Sequence, residues 1–296
     1  MGPLVQLRSE RSSAARGALE RVAADEQPLD YVLTPYAPPA SPAGKLASKA
    51  VLREAFALAG VEVEGMALVE LLERGLGRGR TVYGIKHRGP DEPLSFELYF
   101  YDRDLPGPKL SLERVVEALA PRLRVDAALD RPVDWLMFSV EVTADDLRTG
   151  TAPGVTLYVK GEDLSYDLRG RTLTMGNLYR FFDPGAEIRK VLGALEECVH
   201  YDPRGPDLGR ILPPRLLRAH HVCVARKRTA DGMYFSRVPL PSLRWFLEAF
   251  GWPSELRAFV ARHARDLDWL LHDVGYDFRL EGGVLSFTKS GFYGYF

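Results

Sequence analysis

The chain is poor in cysteine. Cys198 and Cys223 are the only two in 296 residues. They are too few for a disulfide framework, so the sequence points to a reducing compartment, the cytoplasm. Net charge of either sign is also missing: 39 Lys and Arg against 40 Asp and Glu leave −1. No global field then steers the chain to nucleic acid or to an anionic membrane, and any basic site has to be local. Long hydrophobic runs are lacking as well. No stretch approaches the roughly 18 uninterrupted apolar residues of a membrane span. The Arg-bearing stretch Met1–Asp25 has no apolar segment of the kind a secretory signal needs. Nucleic acid and membrane are therefore not expected as partners.

Common catalytic signatures are absent too. There is no Gly-x-Ser-x-Gly elbow and no His-Glu-x-x-His, which removes the standard hydrolase and metalloprotease motifs. The glycine-rich Gly75–Gly79 ends a helix and precedes a strand, the reverse of a phosphate-cradling loop. His220 and His221, read on a strand, point to opposite faces, and no Cys-x-x-Cys accompanies them, so no metal site is expected. Asp145-Asp146 follows Thr143 and reads as a helix cap.

What is present is ordinary globular material, 46% hydrophobic and 27% charged, enough for a large core. Residues 1–44 read as an N-terminal helix near 9–24 followed by a proline-rich linker at 33–44. Residues 45–296 read as one domain. Helices are expected near 45–59 and 64–76, and after Ser111. Strands are expected at Thr81–His87, Leu94–Asp102, Trp135–Val142, Val155–Lys160 and Leu173–Phe182. Asp183-Pro184 opens an amphipathic helix carrying Ile188, Val191, Leu192, Leu195, Cys198 and Val199. Then come strands His221–Arg226 and Met233–Val238 across the turn Thr229–Gly232, and helices near 242–250 and 255–271. A last pair, Tyr276–Leu280 and Leu285–Phe296, closes the chain.

A motif recurs late in these strands: an apolar residue followed by tyrosine, at Tyr99, Tyr158, Tyr179, Tyr234 and Tyr293. Tyr99 and Tyr158 are 59 residues apart, as are Tyr234 and Tyr293. Side chains alternate across a strand. Phe96, Leu98 and Phe100 share one face; Glu97, Tyr99 and Tyr101 share the other. Leu157 and Val159 oppose Thr156, Tyr158 and Lys160. Val222 and Val224 oppose Cys223, Ala225 and Lys227. The aliphatic face should meet helices. The Tyr, Ser, Thr, Glu and Lys face is either solvent-exposed or the lumen of a closed barrel, and its tyrosine content favours the lumen.

This pattern resembles the ABBA-type soluble aromatic prenyltransferases, most closely the cyanobactin-type branch that acts on cyclic peptides. It covers roughly residues 80–296, best in His221–Phe296, with Val155–Lys160 similar to the family's lysine-bearing strand and Asn177-Leu178-Tyr179 to another. The resemblance implies an α/β (α+β) fold: an antiparallel β-barrel of repeated αββα units with helices outside. It implies an allylic diphosphate donor, dimethylallyl or geranyl, and an aromatic small molecule or peptide acceptor, with magnesium as a possible cofactor. Lys160, Arg226, Lys227 and Lys289 would hold the diphosphate, with Lys86 and Arg180 behind them. Tyr99, Tyr158, Tyr179, Tyr234 and Tyr293 would shield the carbocation, and Glu97 would take the acceptor's proton. Two other readings remain: a non-catalytic binding module with a tyrosine-lined cavity, and an interaction protein with an open sheet.

Overall fold

The computed structural model describes residues 19–23, 37–101, 110–130, 133–205 and 207–296. Most of the helix expected near 9–24, and the first part of the proline-rich stretch, lie outside these residues. The described part of that stretch, 37–44, holds neither helix nor strand. Val22 is buried, and Arg21 bonds both the Gly44 carbonyl and Asp266.

Nine α-helices are described: α1 Lys49–Leu58, α2 Glu62–Leu76, α3 Leu112–Leu119, α4 Ala144–Thr149, α5 Pro184–Glu196, α6 Leu208–Ile211, α7 Leu240–Ala249, α8 Ser254–Arg262 and α9 Ala264–Leu267. The strands are β1 Val82–His87, β2 Ser95–Tyr101, β3 Arg124–Val125, β4 Trp135–Val142, β5 Thr151–Ala152 and β6 Val155–Val159. They continue with β7 Leu164–Arg169, β8 Thr172–Phe182, β9 Val222–Arg226, β10 Asp231–Pro239, β11 Leu271–Glu281 and β12 Val284–Tyr295.

Local chemistry sets the helix starts. Ser111 Oγ accepts the Arg114 amide of α3 at 3.2 Å. Thr143 and Asp146 form a reciprocal capping box on α4, the role read for the acidic pair. Asp183 caps α5 through the Gly185 amide, with Pro184 at the first helical position.

Ten strands close into a barrel in the order β1-β12-β11-β10-β9-β8-β7-β6-β4-β2. Every neighbouring pair is antiparallel, and closure sets Val82 opposite Tyr295. The expected barrel with helices outside is therefore present. The strands' outer residues, among them Phe96, Phe138, Leu157, Val224, Phe278 and Phe292, are buried in a continuous apolar layer with helix residues such as Phe56, Leu72 and Phe246. That layer is the core, and its burial is the main force holding the ring shut. Tyr83, on the outer face of β1, spans it: its hydroxyl donates to the Ser48 carbonyl of the α1 approach at 2.8 Å.

Several expectations need correction. Strand β7 was not foreseen; it follows β6 through a short turn, so no helix separates the second strand pair from the third. Strand β11 begins at Leu271, not Tyr276, and the helix expected at 255–271 breaks at His263 into α8 and α9. Asp231 and Gly232 belong to β10, so the turn before it is shorter. Helix α5 stops at Glu196, and Val199 is 77% exposed beyond it rather than on its apolar face. His220 and His221 precede β9, where strand alternation does not apply, and their rings lie 4.2 Å apart.

Candidate functional site

The five recurrent tyrosines come from β2, β6, β8, β10 and β12, the second strand of each of the five pairs. All five line one cavity of about 250 Å³ inside the barrel. Their rings form two contacting groups, Tyr99 with Tyr293 at 5.6 Å, and Tyr158, Tyr179 and Tyr234 in sequence at 5.5 and 6.4 Å between centroids. Tyr101, Met137, Cys223, Ser236 and Asp273 complete much of the lining.

The register explains how five large rings fit. Tyr99 pairs with Ser139, Tyr158 with Ser165, Tyr179 with Ala225, Tyr234 with Gly275 and Tyr293 with Gly84. Each ring thus faces a small residue on the adjacent strand. Alternation of large and small residues fills a barrel interior without clash. Glycine is required in two of these places, because a Cβ at Gly84 or Gly275 would run into the ring of Tyr293 or Tyr234.

Beneath the rings, at the end away from the cavity mouth, lies a charged layer. Lys86 Nζ sits 2.6 Å from Glu97 and 2.9 Å from Glu141. Ser139 Oγ donates to Glu97 at 2.5 Å, and the Tyr99 hydroxyl donates to the other Glu97 oxygen. Across the barrel, Lys227 Nζ donates to Asp277 Oδ1 at 2.6 Å and to the Tyr234 hydroxyl at 2.8 Å. It also stands 5.3 Å from the Tyr234 ring centroid. Lys289 Nζ lies 3.0 Å from Asp277 Oδ2. Three ammonium groups therefore meet three carboxylates. Arg88 joins at the outer end, 3.2 Å from Glu141.

Burial and charge together set the protonation states. Burial raises the cost of the Asp277 charge, yet Lys227 and Lys289 outweigh it and hold the carboxyl at about 2. Glu141 follows the same balance, with Lys86 foremost, and also lies at about 2. Burial works against the Lys86 charge, but Glu97 and Glu141 leave it above its ordinary value. Lys289 goes the other way. Burial, then the ammonium groups of Lys86 and Lys227, bring it down to about 8. Burial pushes all five ring tyrosines up, so each keeps its phenolic proton near neutral pH.

The expected site residues fall into three places. The five tyrosines meet at the cavity. Glu97, Lys227 and Lys289 meet in the layer beneath, and Glu97 reaches the cavity through the Tyr99 hydroxyl. Lys160 and Arg226 do not join them. Tyr158 sits opposite Met137, so Lys160, two residues further on, stands at the mouth and pairs with Asp134 at 3.4 Å. Arg226 is on the outer face of β9, one residue out of phase with the inward Lys227, and pairs with Glu197 at 3.3 Å. Arg180 shares that outer pairing with Glu197.

Sequence reading missed Asp277, Glu141 and the small partners of the rings. Asp277 was legible in principle. In β11, Val274, Tyr276 and Phe278 alternate with Asp273, Gly275 and Asp277, the same two-faced pattern as the other strands. Magnesium, implied by the resemblance, meets no ready donor set. Among the described residues no three His, Cys, Asp or Glu side chains gather to hold a metal ion, and the carboxylates of the charged layer are each engaged by lysine.

No protein-family model matches the chain, and no curated protein does. Among solved structures, 5-dimethylallyltryptophan synthase from Streptomyces coelicolor is similar, with a TM-score of 0.47 and 13% identity over 82% of this chain and 94% of that one.

Proposed function

We propose that the chain transfers a short isoprenoid, dimethylallyl or geranyl, from its allylic diphosphate to an aromatic small molecule or to an aromatic side chain of a peptide. The observation that carries this reading is the stacking of a five-tyrosine wall directly over buried lysines. An allylic diphosphate needs both parts at one place. Lys227 and Lys289 would hold phosphate oxygens by charge-assisted bonds. The allylic C–O bond breaks, and its electron pair leaves with the diphosphate. The allylic cation then lies among electron-rich rings that exclude water and stabilise positive charge by cation–π attraction. A π-electron pair of the acceptor forms the new C–C bond. The proton lost in rearomatisation passes to the Tyr99–Glu97 pair, with the phenol touching the lumen and the carboxylate behind it.

The test is incubation with dimethylallyl and geranyl diphosphate and a panel of phenols, indoles and aromatic peptides. Prenylated product by mass spectrometry, with release of pyrophosphate, is expected. No product and no diphosphate binding across the panel rejects the reading. A second reading has one observation in its favour: the three lysines are already neutralised by three carboxylates. A non-catalytic module that binds an aromatic ligand in the same cavity would need no free positive charge. It predicts aromatic ligand binding with no affinity for pyrophosphate.

A further inference from the structure

Asp277 is placed oddly for a site that takes an anion. Its two carboxylate oxygens are split between two lysines, Oδ1 to Lys227 at 2.6 Å and Oδ2 to Lys289 at 3.0 Å. The three side chains come from three strands, β9's end, β11 and β12, and are 9%, 10% and 19% exposed for Asp277, Lys227 and Lys289. A carboxylate whose two oxygens bridge two ammonium groups offers what one phosphoryl group offers: two anionic oxygens side by side. Each ammonium has three donors, so what opposes joint binding is charge: two anions on the same two buried lysines would repel each other at close range.

From this geometry we infer that Asp277 is a built-in counter-ion that the donor's phosphate must displace, and so the residue that sets the affinity and charge selectivity of the site. The inference rests on the donor reading above. Displacement exchanges one buried anion for another, so only the difference between them appears as binding. A ligand with a single negative charge gains little over the carboxylate it replaces. A diphosphate, with more charge and more oxygens, gains more. Gly232, the direct strand partner of Asp277, lets the carboxylate and the lysine stem come together, since a Cβ there would lie 2.9 Å from Asp277 Oδ1 and 3.3 Å from Lys227 Cε.

The decisive experiment titrates inorganic pyrophosphate, orthophosphate and dimethylallyl diphosphate into the wild-type chain and into Asp277→Asn, Asp277→Ser and Asp277→Glu, by calorimetry. Asp277→Asn or Asp277→Ser should tighten pyrophosphate by about tenfold or more and narrow the gap between pyrophosphate and orthophosphate. Asp277→Glu, which keeps the charge, should stay close to wild type. Unchanged or weaker binding in both neutral variants overturns the inference while leaving the donor reading intact, provided the wild type binds. Binding by the neutral variants alone supports the inference. Binding by none of the proteins overturns both. If the neutral variants do not fold, a wild-type structure with pyrophosphate decides: at least one of the two lysine pairs to Asp277 should be broken, and two intact pairs overturn the inference.

Discussion

The ring of Tyr293 occupies the space that Gly84 leaves empty: a Cβ at position 84 would meet Cε1 of the ring at 2.8 Å. The two residues face each other directly across β1 and β12, the pair that closes the barrel. A side chain at 84 would push the ring into the cavity or part the two strands. Gly84→Val should therefore lower stability by about 1–3 kcal/mol, the usual range for overpacking. Tyr293→Ala should recover part of the loss in the double variant, a coupling that denaturant titration of the four proteins would read. Additive effects would show that the contact is not tight.

Removing Lys227 should be far more costly than removing Arg226, although the two are neighbours in sequence. Lys227 and Asp277 are buried together. Deleting Lys227 leaves Asp277 with Lys289 alone, at about 3 kcal/mol, the low end for a broken buried pair. Lys227→Met should unfold well before wild type, and Lys227→Met with Asp277→Leu should recover only part of that, because Lys289 then loses its carboxylate. Arg226→Ala breaks a half-exposed pair with Glu197, which is worth about 0–1 kcal/mol. It should also leave pyrophosphate affinity unchanged, since Arg226 faces outward. A large loss of affinity in Arg226→Ala would contradict this geometry.

The tyrosine wall predicts a change in product rather than in rate alone. Tyr158→Ala or Tyr179→Ala opens the wall to water, so the cation should be captured as dimethylallyl alcohol at the expense of prenylated acceptor. The Phe variants keep the ring and should keep the wild-type partition. The ratio of alcohol to product, measured by chromatography, checks both.

Lys289 gives a pH signature. Its native value of about 8 lies below its ordinary 10.5. Between those values the unfolded chain binds more protons than the native one, so this group's contribution to stability rises with pH from about 8 to 10.5. Anion binding runs the opposite way: the Lys289 charge is lost as pH rises through 8, and pyrophosphate affinity should fall with it. Lys289→Met should be weaker at pH 7 and lack that fall. At the acid end, Asp277 and Glu141, both held at about 2 by lysines, contribute stability that is present above about pH 4 and is lost as pH falls toward 2. Thermal melting across pH 2 to 10 would resolve both limbs.

Much of the wall was legible because tyrosine and aliphatic residues alternate with period two, and Tyr99, Tyr158, Tyr234 and Tyr293 each stand on the face opposite buried apolar side chains; on β8, where no residue is buried, the recurrent Leu-Tyr pair marks Tyr179 instead. Alternation also sends Lys227 inward and Arg226 outward; grouping them by charge ignored that rule. Strand β7 was hidden by its flanks. Leu164, Tyr166 and Leu168 alternate well, but Glu162-Asp163 before and Gly170-Arg171 after read as loop. Other features could not be read from one strand at a time. Gly84 and Tyr293 are 209 positions apart in the chain, and their pairing exists only once the register of a closed ring is known.

Closure by β1 against β12 has a kinetic side. The first and last strands of the ring must find each other across nearly the whole described chain, so this contact pays the largest loop entropy of any in the barrel. All five strand pairs can assemble in succession, but an incomplete ring has no enclosed chamber. Ligand retention should accordingly emerge late in refolding, after most helix and strand signal has returned, and should report on the finished molecule rather than on any part of it.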